Sequence, residues 1–291
     1  MANTSKGKKG AGGPASFDAL LGGLDLARAG MPAVDSIVGV RTVQAPADAA
    51  SLAEGAAPFS FRIIKTREVD GYEEDALPFG IMAPAKKAAK KTAKKPAKKA
   101  AKKISPDAFD GSSRKAAKLS ISAAPLRSYK DLRNLFRTLP TDAEMANRQP
   151  RIGTGETSGR VPEEERNVRV QTFLYAASRE DDRDFHLILG RHPGRTPELY
   201  MTMELSGLPP EDSPAFARLK AARDAYKAFF ANDLPGTSYD FYDPPIPVTV
   251  EGSLYWDASH AKGTRPGPQS LKSRMPTIWE VHPITKITFN P

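Results

Sequence analysis

The fold turns on NVRVQTFLYAASREDDRDFHLILG, residues 167–190. Val168, Val170, Thr172, Leu174 and Ala176 fall on every second position. Successive side chains of an extended chain point to opposite faces, so this spacing is that of a strand. A charged turn over residues 179–183 ends it, and DFHLILGR, residues 184–191, is a second strand. Residues 199–205, LYMTMEL, make a third. Pro209 and Pro210 break the extended pattern, and residues 213–230 take up a helical period. There Ser213 serves as N-cap, proline holds the first helical position, and Phe216, Leu219, Ala222, Tyr226 and Phe230 form one stripe. Residues 248–257 and 278–289 are strands again, the first with Gly252 suited to a bend or bulge, the second bent at Pro283.

Three strands, a helix and two strands is the element order of an OB-like barrel. Residues 165–291 are therefore expected to form a β-rich α+β domain, a five-stranded OB-like barrel with one helix between strands three and four. Another small α+β sheet with the same element order is the alternative.

Upstream the chain is poorer in core material, and both tryptophans, Trp256 and Trp279, fall in the last domain. Residues 1–83 are expected to be mostly disordered. Within them Phe17, Leu20, Leu21 and Leu24 suggest a short amphipathic helix, and FSFRIIK, residues 59–65, one strand. Residues 104–164 read as a linker with a capped helix near 128–139, stopped by Pro140.

Between these regions lies PAKKAAKKTAKKPAKKAAKK, residues 84–103. The formal net charge is +9, and without the ten lysines of this run the other 271 residues stand at −1. The lysines are Lys86, Lys87, Lys90, Lys91, Lys94, Lys95, Lys98, Lys99, Lys102 and Lys103. Pairs four apart would share one helical face, but like charges repel and Pro96 interrupts, so the run is expected to be a disordered cationic tether. Its expected partner is DNA or RNA, bound through phosphates and without sequence preference. The blander readings are a solvated linker, or intramolecular pairing with the acidic patch at residues 68–75.

All four histidines lie in the C-terminal domain, and two stand two residues from an acid, Asp184 with His186 and Glu280 with His282. In a strand each such pair shares a face. With Glu204 and Asp257 they make a candidate polar cluster: Asp184, His186, Glu204, Asp257, Glu280 and His282. It has three readings: carboxylates orienting histidines structurally, a zinc or manganese site to which Asp257 and His260 add donors, or acid–base catalysis by His186 or His282. No Walker loop, dinucleotide fingerprint, HExxH or GxSxG is present, so no cofactor and no catalytic residue is assigned. The turn GRHPGRTP, residues 190–197, carries two arginines but reads as a strand connection.

The blocks RVQTFLYAASREDDRDFHLILG, TMELSGLP, VTVEGSLYWDASH and WEVHPITKI resemble a family of uncharacterised bacterial OB-like domains with D-[YF]-H-L and E-x-H-P strand motifs. The matched positions are Asp184, His186, Glu204, Gly252, Asp257, Glu280, His282 and Pro283, and Arg183 stands where that family often has glycine. This likeness implies the fold over residues 165–290 and no activity. The lysine run resembles the tails of linker histones and bacterial histone-like proteins.

With no cysteine there is no disulfide framework or thiol nucleophile. No stretch reaches a membrane span, and no apolar run follows the charged N-terminus, so a soluble, cytoplasmic protein is expected. The expected function is non-enzymatic nucleic-acid association through the lysine run. The domain would add a second contact through Phe173, Tyr255, Trp256, Arg191 and Arg265. The alternatives are a metal-dependent hydrolase using Asp184/His186 and Glu280/His282, or an adaptor for a protein partner.

Overall fold

The computed structural model describes residues 21, 24, 25, 27, 28, 30–46, 59–70, 105–261 and 265–290. Along them run β1 (Ile37–Gln44), β2 (Ser60–Thr66), α1 (Lys115–Lys118), β3 (Leu126–Tyr129), α2 (Leu132–Phe136) and α3 (Asp142–Ala146). Then follow β4 (Asn167–Arg179), β5 (Phe185–Gly190), β6 (Tyr200–Leu205), α4 (Phe216–Phe230), β7 (Asp240–Trp256), α5 (Gln269–Lys272) and β8 (Trp279–Phe289). The turn between β4 and β5 holds Arg183 at φ 79°, a left-handed conformation that glycine adopts with least strain.

The strands make one mixed sheet in the order β1-β2-β7-β8-β6-β5-β4-β3, with β7 also paired to β4. The domain is therefore not the five-stranded OB-like barrel expected from the element order. β1 and β2 form an antiparallel hairpin that joins the start of β7, and β3 adds parallel to the start of β4. The reason lies in β7, whose 17 residues begin at Asp240, so that residues 240–243 offer β2 a free edge. Gly252 sits at a double register shift between β7 and β8, where a side chain would meet the Pro283 carbonyl and Val281.

The strand expected at residues 59–65 is β2, and residues 30–46, expected to be disordered, join the sheet through β1. The lysine run and most of the expected helix near Phe17 lie outside the described residues. Residues 105–164 are likewise no linker. The predicted helix at 128–139 divides into β3 and α2, which is capped by Asp131 accepting from the Arg133 N–H at 2.8 Å. A reciprocal Thr141–Glu144 capping box opens α3. Arg114, 1% exposed, donates twice to Glu164, 0% exposed, at 2.7 Å each. Arg160 donates to the carbonyls of Ala117, Ser120 and His282.

Both faces of the central strands are buried. Phe185, Leu187 and Leu189 join Met201, Met203, Val281 and the α4 residues Tyr226, Phe229 and Phe230 in one apolar cluster. Ile188 on the opposite face packs with Tyr175, Tyr200, Tyr239 and Phe241 under Met31, Leu271 and Met275. By alternation, His186 and Glu204 share this second face, where polar groups must find partners inside the protein. No helix among the described residues is long and apolar enough to cross a membrane.

Candidate functional site

Strand pairing gathers the polar residues of the second face. His186 lies opposite Glu204 across β5 and β6, and Met203 beside Val281 aligns β6 with β8, which carries Glu280 and His282. Above them opens a cavity of about 470 Å³, lined among others by Asp70, Lys118, Glu180, Asp182, Glu204 and Asp257. Its acidic residues fall into two groups with opposite hydrogen-bond economies.

The first group is Asp184, Glu204 and His282, with Glu280 beside them. His282 Nδ1 lies 2.6 Å from Glu204 Oε2, and its Nε2 lies 3.4 Å from Asp184 Oδ2. Neither contact has the alignment of a hydrogen bond, and both ring nitrogens, Asp184 Oδ2, Glu204 Oε2 and both Glu280 oxygens have no hydrogen-bond partner. Lys118 Nζ stands 3.8 Å from Asp184 and 4.0 Å from Glu204, and makes its own bond to Asp182 at 3.2 Å. Burial, helped by Lys118, drives the His282 imidazole down to about 3 and keeps it neutral. Burial pushes the carboxyls of Asp184, Glu204 and Glu280 up. Burial opposes the charge on Lys118, but the carboxylates of Glu204, Asp184 and Asp182 outweigh it and hold the ammonium well above its usual range.

The second group, Asp70, Glu180 and His186, is closed. His186 Nδ1 lies 2.7 Å from Glu180 and 2.9 Å from Asp70, and its Nε2 lies 3.2 Å from the Thr202 hydroxyl. Asp70 Oδ1 accepts from the Tyr239 hydroxyl at 2.9 Å and the Gly267 N–H at 2.6 Å. The group therefore latches the segment after β2 to β5 and to the chain leading into α5. Burial works against the charge of His186, but Asp70 and Glu180 hold its pKa well above the ordinary 6.5. Burial likewise opposes the Asp70 charge, and His186 overrides it, keeping that carboxylate far below 3.8. Burial, with Glu204 nearby, lifts Glu180 to about 7.

A pH dependence follows. The raised His186 value contributes stability that is complete below about pH 6.5 and is lost as pH rises through the folded value. The lowered Asp70 value contributes stability present above about pH 4 that is lost on acidification. Asp70→Asn is expected to cost about 1.5–3 kcal/mol near pH 6, the range for hydrogen bonds to charged groups, and less once pH has risen past the folded His186 value. Urea unfolding of both proteins across a pH series checks this, and a loss that stays constant while the His186 imidazole is seen by NMR to deprotonate would rule out an ionic latch.

Of the six predicted cluster residues, four converge: Asp184, Glu204, Glu280 and His282. His186 belongs to the latch. Asp257 lies on the cavity wall, 3.5 Å from His260, and caps the following turn by accepting from the Ser259 N–H. The sequence reading missed Lys118, Asp182, Glu180 and Asp70. Asp70 carried a signal as part of the acidic patch, and Glu180 and Asp182 as part of the charged turn at residues 179–183, whereas Lys118 carried none.

A second cavity, about 490 Å³, lies beside β4 and the turn after β5 and is lined by Lys130, Phe173, Arg191, His192 and Arg195 together with Asp131. Arg191 is held there by Asp131, with Nε and Nη2 each donating to the carboxylate, and by the Pro197 carbonyl. The Phe173 ring meets the His192 ring edge-on at 4.9 Å. Lys130 and Arg195 are exposed. Three residues expected on a nucleic-acid face are elsewhere. Tyr255 and Trp256 are buried at 0% and 2% exposure, and Arg265 pairs with Asp142 at 3.4 Å.

No family model matches the chain, nor does any curated protein or solved structure.

Proposed function

We propose that this is a nucleic-acid-associated protein of the cytoplasm that holds DNA or RNA without reading sequence, through the lysine run and a groove on its folded domain. The observation that supports it best is the second cavity. There Lys130 and Arg195 present cations beside the Phe173 and His192 rings, and Arg191 is fixed in the wall. Cations that track phosphates beside a ring on which a base can stack suit a single strand. The hydrolase reading needs Asp184, His186, Glu280 and His282 around one point, whereas His186 spends its ring nitrogens in the latch.

The test is polarisation binding of labelled single-stranded RNA and DNA to the full chain across a salt series. Phe173→Ala is expected to weaken binding by about 1–3 kcal/mol through lost stacking. Lys130→Gln with Arg195→Gln should lower the salt slope by about 0.7 for each cation. If neither variant differs from the parent, the groove takes no part. Binding partners that ignore salt altogether would favour a protein adaptor.

A further inference from the structure

We infer that Asp184, Glu204 and His282 form a binding site for one divalent first-row metal ion, zinc or manganese, at the floor of the acidic cavity. This site is independent of the nucleic-acid groove, and it stands on the contrast between the two acid–histidine groups.

Both groups are built from the same residue types on the same face of the sheet. In the latch, each nitrogen of His186 meets an oxygen at hydrogen-bond distance, and Asp70 accepts from a hydroxyl and an N–H. In the other group the outer oxygen of Asp184 accepts the Gly207 N–H, but the atoms that face one another are not satisfied. Asp184, Glu204 and His282 are 0%, 3% and 0% exposed, and their facing atoms have no hydrogen-bond partner. Buried polar groups are nearly always bonded, because an orphan costs about 1–3 kcal/mol and a charged one more. Asp184 Oδ2, Glu204 Oε2 and one ring nitrogen of His282 are orphaned donors that a single ion can take as ligands, one from each residue.

Lys118 is not that partner. It comes no closer than 3.8 Å to Asp184 and 4.0 Å to Glu204, and its hydrogen bond goes to Asp182.

The geometry suits an ion. One donor atom from each of the three residues can be chosen so that all lie within 4.8 Å of one another. Metal–ligand bonds of about 2.0–2.2 Å place donors on one ion roughly 3–4 Å apart, so small side-chain adjustments close the shell. Asp184 is already oriented, since its Oδ1 accepts the Gly207 N–H at 2.5 Å and its Oδ2 turns to the imidazole. Arg160 fixes the strand at His282 by donating to its carbonyl. The Gly207 bond to Asp184 is of the kind that orients a metal-ligating carboxylate.

The donor set names the metal class. Two carboxylates and an imidazole suit zinc or manganese, whereas calcium and magnesium prefer oxygen alone and a thiophilic ion would need sulfur. Glu204 also lines the cavity, so a fourth position can hold water from solvent.

The test uses the full chain, stripped with a chelator and titrated separately with zinc chloride and manganese chloride in a calorimeter. One ion per chain is expected, with His282→Ala and Glu204→Gln each weakening binding by more than the roughly 10–100-fold that loss of an outer-shell partner brings. Asp70→Asn, in the latch, should leave stoichiometry and affinity unchanged. Cobalt chloride added to the unmutated chain supplies a readout that needs no variant, an intense visible absorption from a four-coordinate site. No saturable uptake of zinc, manganese or cobalt would overturn the site, as would unaltered binding by a folded His282→Ala protein.

Discussion

Changing all ten lysines of residues 84–103 to glutamine is expected to flatten the salt dependence of duplex DNA binding by up to about nine units of slope, at about 0.9 for each phosphate neutralised. The unmodified chain should lose about 10³–10⁵ in affinity between 50 and 200 mM salt, as proteins with 6–10 phosphate contacts do, and the glutamine version far less. The magnitude follows from where the charge resides, since the other 271 residues stand at −1 and supply no general attraction for a polyanion. Glutamine keeps the chain length between Asp70 and Ser105, so the folded domain should be unaltered by circular dichroism. A slope that does not change would show that the run takes no part in binding and would leave any affinity to the groove at Phe173 and Arg195.

Glu164→Ala is expected to destabilise the domain by about 3–5 kcal/mol, the cost of removing one partner from a buried ion pair. Arg114 would keep its charge at 1% exposure with only the carbonyls of Trp256 and Gly159 to accept from it. The Trp256 N–H, bonded to Glu164 Oε1 at 2.9 Å, and the Val161 N–H, bonded to Oε2 at 2.9 Å, would lose their acceptors as well. Domains are stable by only about 5–15 kcal/mol, so guanidinium unfolding should show a much earlier midpoint with an unchanged slope. A double variant with Arg114→Met and Glu164→Leu should recover part of the loss, because apolar groups of similar volume leave no charge stranded. A loss below 1 kcal/mol for Glu164→Ala would mean that water reaches the pair.

Much of the C-terminal sheet was legible. The alternation at Val168, Val170, Thr172, Leu174 and Ala176 marks β4, and β5, β6, α4 and β8 fall within a few residues of their expected places. The first half of β7 was hidden because Pro244, Pro245 and Pro247, residues uncommon inside strands, lie within it. That concealment removed the edge on which β2 docks, and with it the signal for a sheet larger than five strands. β3 was concealed differently, by a strand of four residues running almost directly into a helix of five, too short for either period to show. At the site, the spacing of Asp184 with His186 and Glu280 with His282 showed which side chains share a face. It could not show that cross-strand register places Glu204 between them, or that a lysine from a stretch resembling linker would reach in.

The chain leaves the described body at Asp70 and re-enters it at Ser105, with 34 residues between. Asp70 and Gly111 both line the acidic cavity. The two described residues that flank this stretch, Asp70 and Ser105, thus belong to one body, the first on the cavity wall and the second six residues before Gly111, which also lines it. If the run holds nucleic acid as proposed, that strand is kept at a high effective concentration around this one body, however weakly the groove at Phe173 and Arg195 holds it.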